Sequence, residues 1–234
     1  MSSFPTTPTP NHGLFRSTVL VFAFVLGCQA MWILSAEIFR PSPPGFPADP
    51  QAAAAAAANR NGATLAASFG FIRGDLWAEC ALTYLDMLWS GDWDGTSAQV
   101  PMMIERAREA ADRALAFAPH DARVWLVLAS IDLRFDWLNR NTASDLRMSY
   151  YTGTNETDLI PLRLLLAVRS GALGDRDFQQ LVRHDVSTIV TRKPELKFVI
   201  LAAYRDATPI GQQFLEETLA EIDPVLLARL RSKG

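Results

Sequence analysis

The chain has very little cysteine. Its 234 residues include two, Cys28 and Cys80. Cys28 falls within a long apolar run and Cys80 within a helical pattern, so we expect no disulfide between them. The fold therefore does not belong to the disulfide-stabilised class, and the cysteines do not indicate a redox compartment.

Neither sign of charge dominates the sequence. Lysine and arginine number 22, aspartate and glutamate number 25, and the formal net charge is −3. Domains that bind nucleic acid normally carry a basic stripe or patch. The charge balance therefore predicts no nucleic acid partner.

The signatures of common catalytic sites are also missing. The sequence has no phosphate-binding Gly-rich loop, no paired cysteines, no His-Glu-x-x-His and no Gly-x-Ser-x-Gly. His12, His120 and His184 are widely spaced, and for His184 beside Asp185 a solvated helix face is a better interpretation than a general base. We predict no catalytic residue, cofactor or metal site, although enzymatic activity is not excluded.

The sequence does contain one long apolar run, from residue 17 to residue 39, with a single charge at Glu37. As a helix it would reach about 34 Å, which is enough to cross a hydrocarbon core of about 30 Å. The apolar part of a cleaved signal peptide is usually about 7 to 15 residues long. The run therefore predicts a transmembrane signal anchor at 17–39, preceded by a tail at 1–16.

Two alternatives remain open for this segment. The residues up to Cys28 resemble a lipoprotein cleavage box, in which Cys28 would become a lipidated N-terminus. The apolar residues at 31–34 argue against cleavage there, because they belong in hydrocarbon. Cleavage near Ala36 would instead release an exported protein.

The orientation follows from the ends of the anchor. Arg16 and Arg40 flank it, so the positive-inside rule is nearly balanced. Short-tailed N-terminal anchors usually insert with the tail in the cytoplasm. We expect a single-pass protein of a bacterial inner membrane with its C-terminal domain in the periplasm, in contact with the bilayer through residues 17–39.

A proline-rich linker follows at residues 40–50. Its five prolines remove backbone donors and keep the chain extended. We expect it to act as a stiff spacer that holds the domain off the bilayer. Asp49 and Pro50 are expected to cap and begin the next helix.

From Thr64 onward almost every segment of the domain at 51–234 has helical periodicity. Apolar residues recur every three or four positions, and no sustained strand alternation occurs. Thr208 with Pro209 and Asp223 with Pro224 predict the starts of the last two helices. We predict one all-α domain. A representative apolar face is Leu196, Val199, Ile200, Ala203 and Tyr204.

Small and large residues also recur at the spacing of paired helices. In such a pair, small residues on one helix leave room for large residues on the other. The small residues of a second helix are Ala107, Ala111 and Ala114, and Pro119 follows that helix. The opening positions of the first helix before it are Trp77, Ala81 and Tyr84. In the next unit, the opening positions of the first helix are Trp125, Leu128 and Ala129.

These residues resemble the tetratricopeptide repeat family. The resemblance implies a divergent array of antiparallel helix hairpins whose concave surface binds other proteins. Trp77 and Trp125 are about 48 residues apart, whereas the family's repeat is about 34 residues long. Asp132 also stands where an aromatic residue is expected. The alternative is an irregular helical bundle with alanine-rich packing.

The extra residues include a loop at 89–95 that combines tryptophan, aspartate and glycine. Trp89 and Trp93 are candidates for stacking on a sugar ring or anchoring a protein partner, with Asp92 and Asp94 as polar contacts. The alternative is a loop whose tryptophans fold back on their own repeat.

Two classes of function follow. The resemblance implies a scaffold that binds other membrane or envelope proteins in cell-envelope assembly, secretion or polysaccharide export. The alternative is a carbohydrate-binding accessory or an envelope enzyme that uses the loop at 89–95. Converging carboxylates beside Trp89 and Trp93 would favour the second class, and a broad apolar or mixed concave face would favour the first.

Overall fold

The computed structural model describes residues 12–40, 50–90, 99–135 and 141–233. Within these ranges the chain contains no strand, so the all-α prediction is confirmed for them. Short 3-10 turns precede α7, α8 and α9. The helices are α1 (His12–Ile38), α2 (Pro50–Phe69), α3 (Gly74–Ser90), α4 (Gln99–Phe117), α5 (Ala122–Phe135), α6 (Thr142–Thr152), α7 (Ile160–Arg169), α8 (Arg176–Arg192), α9 (Lys197–Asp206), α10 (Pro209–Ile222) and α11 (Pro224–Lys233).

α1 differs from the other helices in having almost no buried surface. Its segment Phe15–Ile38 is long and apolar enough, by length and composition, to cross a membrane, and no other helix in the described ranges meets that description. α1 begins at His12, ahead of the predicted start at residue 17. Between Pro10 and Arg40 no proline removes a backbone donor, so the helix extends back through residues 12–16, which include Leu14 and Phe15.

α3 lies at the centre of the N-terminal half, between α2 and α4. It is buried on nearly every side, and for that reason its sequence is apolar over most of its circumference. A Cβ on Gly74, at its start, would lie 2.9 Å from the Ala118 Cβ and 3.1 Å from the Ala114 oxygen. Glycine therefore permits the start of α3 to approach the end of α4, and the two helices run antiparallel.

α5 belongs to two apolar clusters at once. Val124, Val127 and Ile131 face the cluster formed with α2, α3 and α4. Leu126 and Ala129 face the cluster formed with the helices that follow. None of these five residues has exposed surface, so α5 joins the two halves of the domain.

The helices pack in a regular order. α3 packs on α4, α5 on α6 and α7 on α8, while the alternate helices α3, α5, α7 and α9 also contact one another in that order. Many packed helices with contacts of this kind are compatible with a helical repeat fold. The alternate helices form one layer of the domain.

The last two helices begin as the sequence predicts. The Thr208 hydroxyl accepts a hydrogen bond from the Gly211 N–H at 3.2 Å. An Asp223 carboxylate oxygen accepts one from the Leu226 N–H at 3.0 Å. Each cap satisfies a first-turn N–H that has no partner within its own helix.

Candidate functional site

The end of α1 is joined to the helical domain by aromatic contacts. The Trp32 indole N–H donates to the Phe69 carbonyl oxygen at 2.6 Å, and its ring lies 5.6 Å from the Phe71 ring between centroids. Phe39 stacks on Phe69 with centroids 5.8 Å apart. Ala36 between them is buried. The apolar helix therefore lies against the turn between α2 and α3.

Charged residues form a second set of contacts at this junction. Arg40 donates to the buried Glu79 at 2.5 Å and lies 3.3 Å from Glu37. Arg73 pairs with Glu37 and with Asp75, each at 2.6 Å. Hydrogen bonding to Glu79 raises the pKa of Arg40, and hydrogen bonding from Arg73 lowers the pKa of Asp75. These ion pairs join the end of α1 to the start of α3, and we call the cluster of Glu37, Arg40, Arg73, Asp75 and Glu79 an electrostatic clasp.

The spacer role expected of the linker at 40–50 stays a prediction, because residues 41–49 lie outside the described ranges. At the start of that linker Arg40 donates to Glu79 on α3, and α1 itself contacts α2. The aromatic and ionic partners of α1 therefore lie within the domain.

The residues predicted from the repeat pattern lie mostly inside the domain. The alanines face neighbouring helices without exposed surface, which allows α3 and α4 to approach closely. The Trp125 indole N–H donates to the Pro119 carbonyl oxygen at 2.8 Å. Ala81, Ala107, Ala111, Ala114 and Ala129 are fully buried, Trp77 and Tyr84 are buried, Trp125 and Leu128 are half-buried, and Pro119 is exposed.

Trp89 is the member of the predicted loop that the structure describes; Asp92, Trp93 and Asp94 lie outside the described residues. Trp89 ends α3 half-buried against both apolar clusters. The Arg134 guanidinium lies over its ring, 5.2 Å from the centroid, and donates to the Trp89 carbonyl oxygen at 3.3 Å. One face of this indole is therefore covered by a side chain of the same chain.

Trp89 also lines a cavity of about 340 Å³ between the alternate helices. Arg134 and Arg169 both lie on its wall, together with Asp206. Burial and the nearby positive charge of Arg169 lower the pKa of Arg134. Arg169 pairs with Asp206 at 4.0 Å, so the described part of this cavity contains one ion pair and the additional positive charge of Arg134, with a single carboxylate.

A larger groove lies between the first turns of α7 and α9, with a volume of about 480 Å³. Its lining is mainly apolar, and Phe198 within it is 61% exposed. Phe198 does not belong to the apolar face predicted for α9. A large apolar residue outside that face is the feature of the sequence that could have predicted the groove. The lining is Thr157, Asp158, Pro161, Leu162, Leu165, Lys193, Glu195, Leu196, Phe198, Val199 and Ala202.

The cavity and the groove share a wall residue, Leu165. They therefore adjoin on the same layer of alternate helices. We call this combined area the Trp89–Phe198 surface, meaning the linings of the cavity and the groove. It is basic near Arg134 and apolar near Phe198.

A buried polar cluster lies behind this layer. Arg163 has no exposed surface and donates to the Ser149 hydroxyl at 3.0 Å and the Gly153 carbonyl oxygen at 2.9 Å. Its guanidinium lies 4.9 Å from the centre of the Tyr150 ring. Burial raises the pKa of Asp185 to about 6, against opposing interactions with Tyr150 and Arg163. These groups hold α6, α7 and α8 together.

Asp185 corrects part of the prediction for α8. His184 is exposed, as expected of a solvated face, but Asp185 is 2% exposed. Successive residues of a helix point about 100° apart, so neighbours in sequence can lie on opposite faces. Within the described ranges, no group of three or more His, Cys, Asp and Glu side chains is arranged to hold a metal ion.

Comparison with known proteins does not identify a relative. No protein-family model matches the chain, and no curated protein or solved structure matches it.

Proposed function

We propose that this protein is a membrane-anchored helical scaffold that holds a binding surface for an envelope protein close to the bilayer. The observation that carries the proposal is the junction of α1 with the domain. The Trp32 contact with Phe69 and the Arg40 contact with Glu79 attach a helix of membrane-spanning length directly to packed helices.

Retention of α1 is the arrangement that these contacts favour. Cleavage near Ala36 would remove Trp32 and its hydrogen bond to Phe69. It would also leave Phe69 and Phe71 without their aromatic neighbour. An uncleaved anchor keeps these contacts, with the tail in the cytoplasm and the domain in the periplasm of a bacterial inner membrane.

The helical domain serves as a divergent tetratricopeptide-like array. Two observations support it: the small residues of α4 that pack on α3, and the layer formed by the alternate helices α3, α5, α7 and α9. In such arrays one helix of each pair lines the concave surface. The Trp89–Phe198 surface lies on that layer.

The partner is a segment of another envelope protein that combines apolar side chains with an acidic one. The groove offers an apolar wall to the first, and Phe198 is an exposed large apolar side chain in that wall. Arg134 offers positive charge to the second, whereas Arg169 beside it already pairs with Asp206. A carbohydrate is less favoured, because Arg134 already covers one face of Trp89.

Site-directed photo-crosslinking in the native membrane tests this proposal. A photoreactive amino acid replaces Phe198 in the groove or, as a matched control, Ile210, which is also 61% exposed but lies outside the groove lining. We expect a discrete crosslinked product from position 198 and none from position 210. Charge reversal by Arg134→Glu should lower the yield, whereas Arg176→Glu, on the exposed start of α8, should not.

Three results would count against the proposal. Equal crosslinking from positions 198 and 210 would show that the groove has no preferred partner. An unchanged crosslinking yield with Arg134→Glu would show that the partner does not bind through an acidic residue. A protein that is released from membranes by high salt would show that α1 is not an anchor.

A further inference from the structure

The turn between α2 and α3, residues 69–73, contacts α1 well before the C-terminal end of α1. Trp32 contacts this turn at Phe69 and Phe71. Trp32 precedes Ile38, the end of α1, by about 9 Å along the helix axis at about 1.5 Å per residue. The turn therefore lies beside a part of α1 that is still within the apolar segment.

The same turn exposes large apolar side chains. Phe71 is 57% exposed and Ile72 is 52% exposed, and Phe69 and Leu65 next to them are also exposed. Adjacent exposed groups of this size on a soluble surface normally mark a contact site. Here they continue the exposed apolar surface of α1, whose Ile33 and Leu34 lie at a similar height.

Charged groups begin immediately beyond these side chains. Glu37 on α1 pairs with Arg73 at the end of the turn. Arg40, just beyond the end of α1, pairs with Glu37 and with Asp75 and Glu79 on α3. Both α1 and the turn therefore change from apolar to charged at one level. Trp32 lies on the apolar side of that level, where tryptophan is enriched in proteins that meet a membrane–water interface.

We propose that the α2–α3 turn enters the bilayer beside α1 and places Phe71 and Ile72 among the lipid acyl chains. The proposal rests on the anchoring of the chain by α1. The occupant is lipid because the exposed patch is continuous with α1, and because the ion pairs of Arg40 and Arg73 follow directly beyond the apolar side chains of both segments, as headgroups follow acyl chains. The domain is thus attached to the membrane at two points, a spanning helix and a shallow loop.

Depth-dependent quenching in vesicles tests this attachment with the full chain. Single cysteines in a Cys28→Ala background carry an environment-sensitive fluorophore, since Cys80 is buried. The vesicles contain phosphatidylethanolamine and phosphatidylglycerol, with or without bromine on the acyl chains. The labelled positions are Ile72→Cys, a second turn variant Phe71→Cys, a reference on α1 at Leu34→Cys, and a control at Met102→Cys.

Met102 is the matched control because it is 59% exposed and lies at the far end of α4. About 18 Å of helix separates it from Ala114, which lies next to the start of α3. We expect brominated lipid to quench the labels at positions 71 and 72 about as strongly as the label at position 34. The label at position 102 should keep its emission.

The outcomes separate this proposal from the anchoring on which it rests. If the label at position 34 is quenched but the labels at positions 71 and 72 keep their emission like the label at position 102, the turn does not insert into the bilayer. That result would overturn the proposal and leave the anchoring by α1 intact. No quenching at position 34 would overturn both. If unlabelled Ile72→Cys chains form a disulfide with each other and the labelled protein shows no quenching at position 72, a second copy and not lipid covers the turn, and the proposal is overturned.

Discussion

Replacing Ala111 with leucine is expected to destabilise the domain by forcing α3 and α4 apart. Ala111 has no exposed surface, and Ala107, Ala110 and Ala114 around it are at most 2% exposed. The three added carbon atoms have no cavity to enter, and overpacking of this kind costs about 1–3 kcal/mol. For a chain of this size each kcal/mol lowers the Tm by about 2–4 °C, so we expect a fall of about 2–12 °C.

Ala116→Leu on the same helix is the matched control, because Ala116 is exposed. Alanine and leucine differ by only a few tenths of a kcal/mol in helix propensity, about the same at both positions. The Tm is measured by far-UV circular dichroism in detergent micelles, at one scan rate for both variants in case unfolding is irreversible. Equal Tm values for the two variants would refute close packing through the small residues of α4.

Three further predictions concern single contacts. Burial raises the pKa of Asp185 to about 6, so the folded state binds the proton more tightly than the unfolded state does. The free energy of unfolding therefore falls as the pH rises from about 4 to about 6. Asp185→Asn should reduce this fall, as measured by the Tm across the same pH range. Gly211→Ala should lower the Tm by several degrees, because the new Cβ would lie 2.2 Å from the Val168 carbonyl oxygen; an unchanged Tm would mean that α7 and α10 separate without strain. Glu79→Gln should weaken the contact with Arg40 and speed amide hydrogen exchange in residues 69–76, and the idea of a clasp fails if the exchange there is unaffected.

Local features of this fold could be predicted from sequence. The helical class follows from the three- and four-residue spacing of apolar positions, and the starts of α10 and α11 follow from Thr208 and Asp223. The apolar stretch of α1 follows from its length and composition. Each of these depends on residues close together in the chain, where spacing alone sets the geometry.

The features that form the site depend on residues far apart in sequence. Trp32 meets Phe69 across 37 positions, and the groove needs the turns before α7 and α9 to lie side by side. Arg163 is charged yet fully buried, and its partners Ser149 and Gly153 come from a different helix pair. Periodicity assigns each residue to a helix face but does not say which other helix covers that face.

The position of α5 between the two apolar clusters has a mechanical consequence. A force applied at Phe198 on α9 reaches α3 and α1 mainly through α7 and α5. Because the shared face of α5 is close-packed, it transmits such a load with little deformation. Under the proposed function, a partner bound in the groove is therefore coupled rigidly to the anchor helix α1.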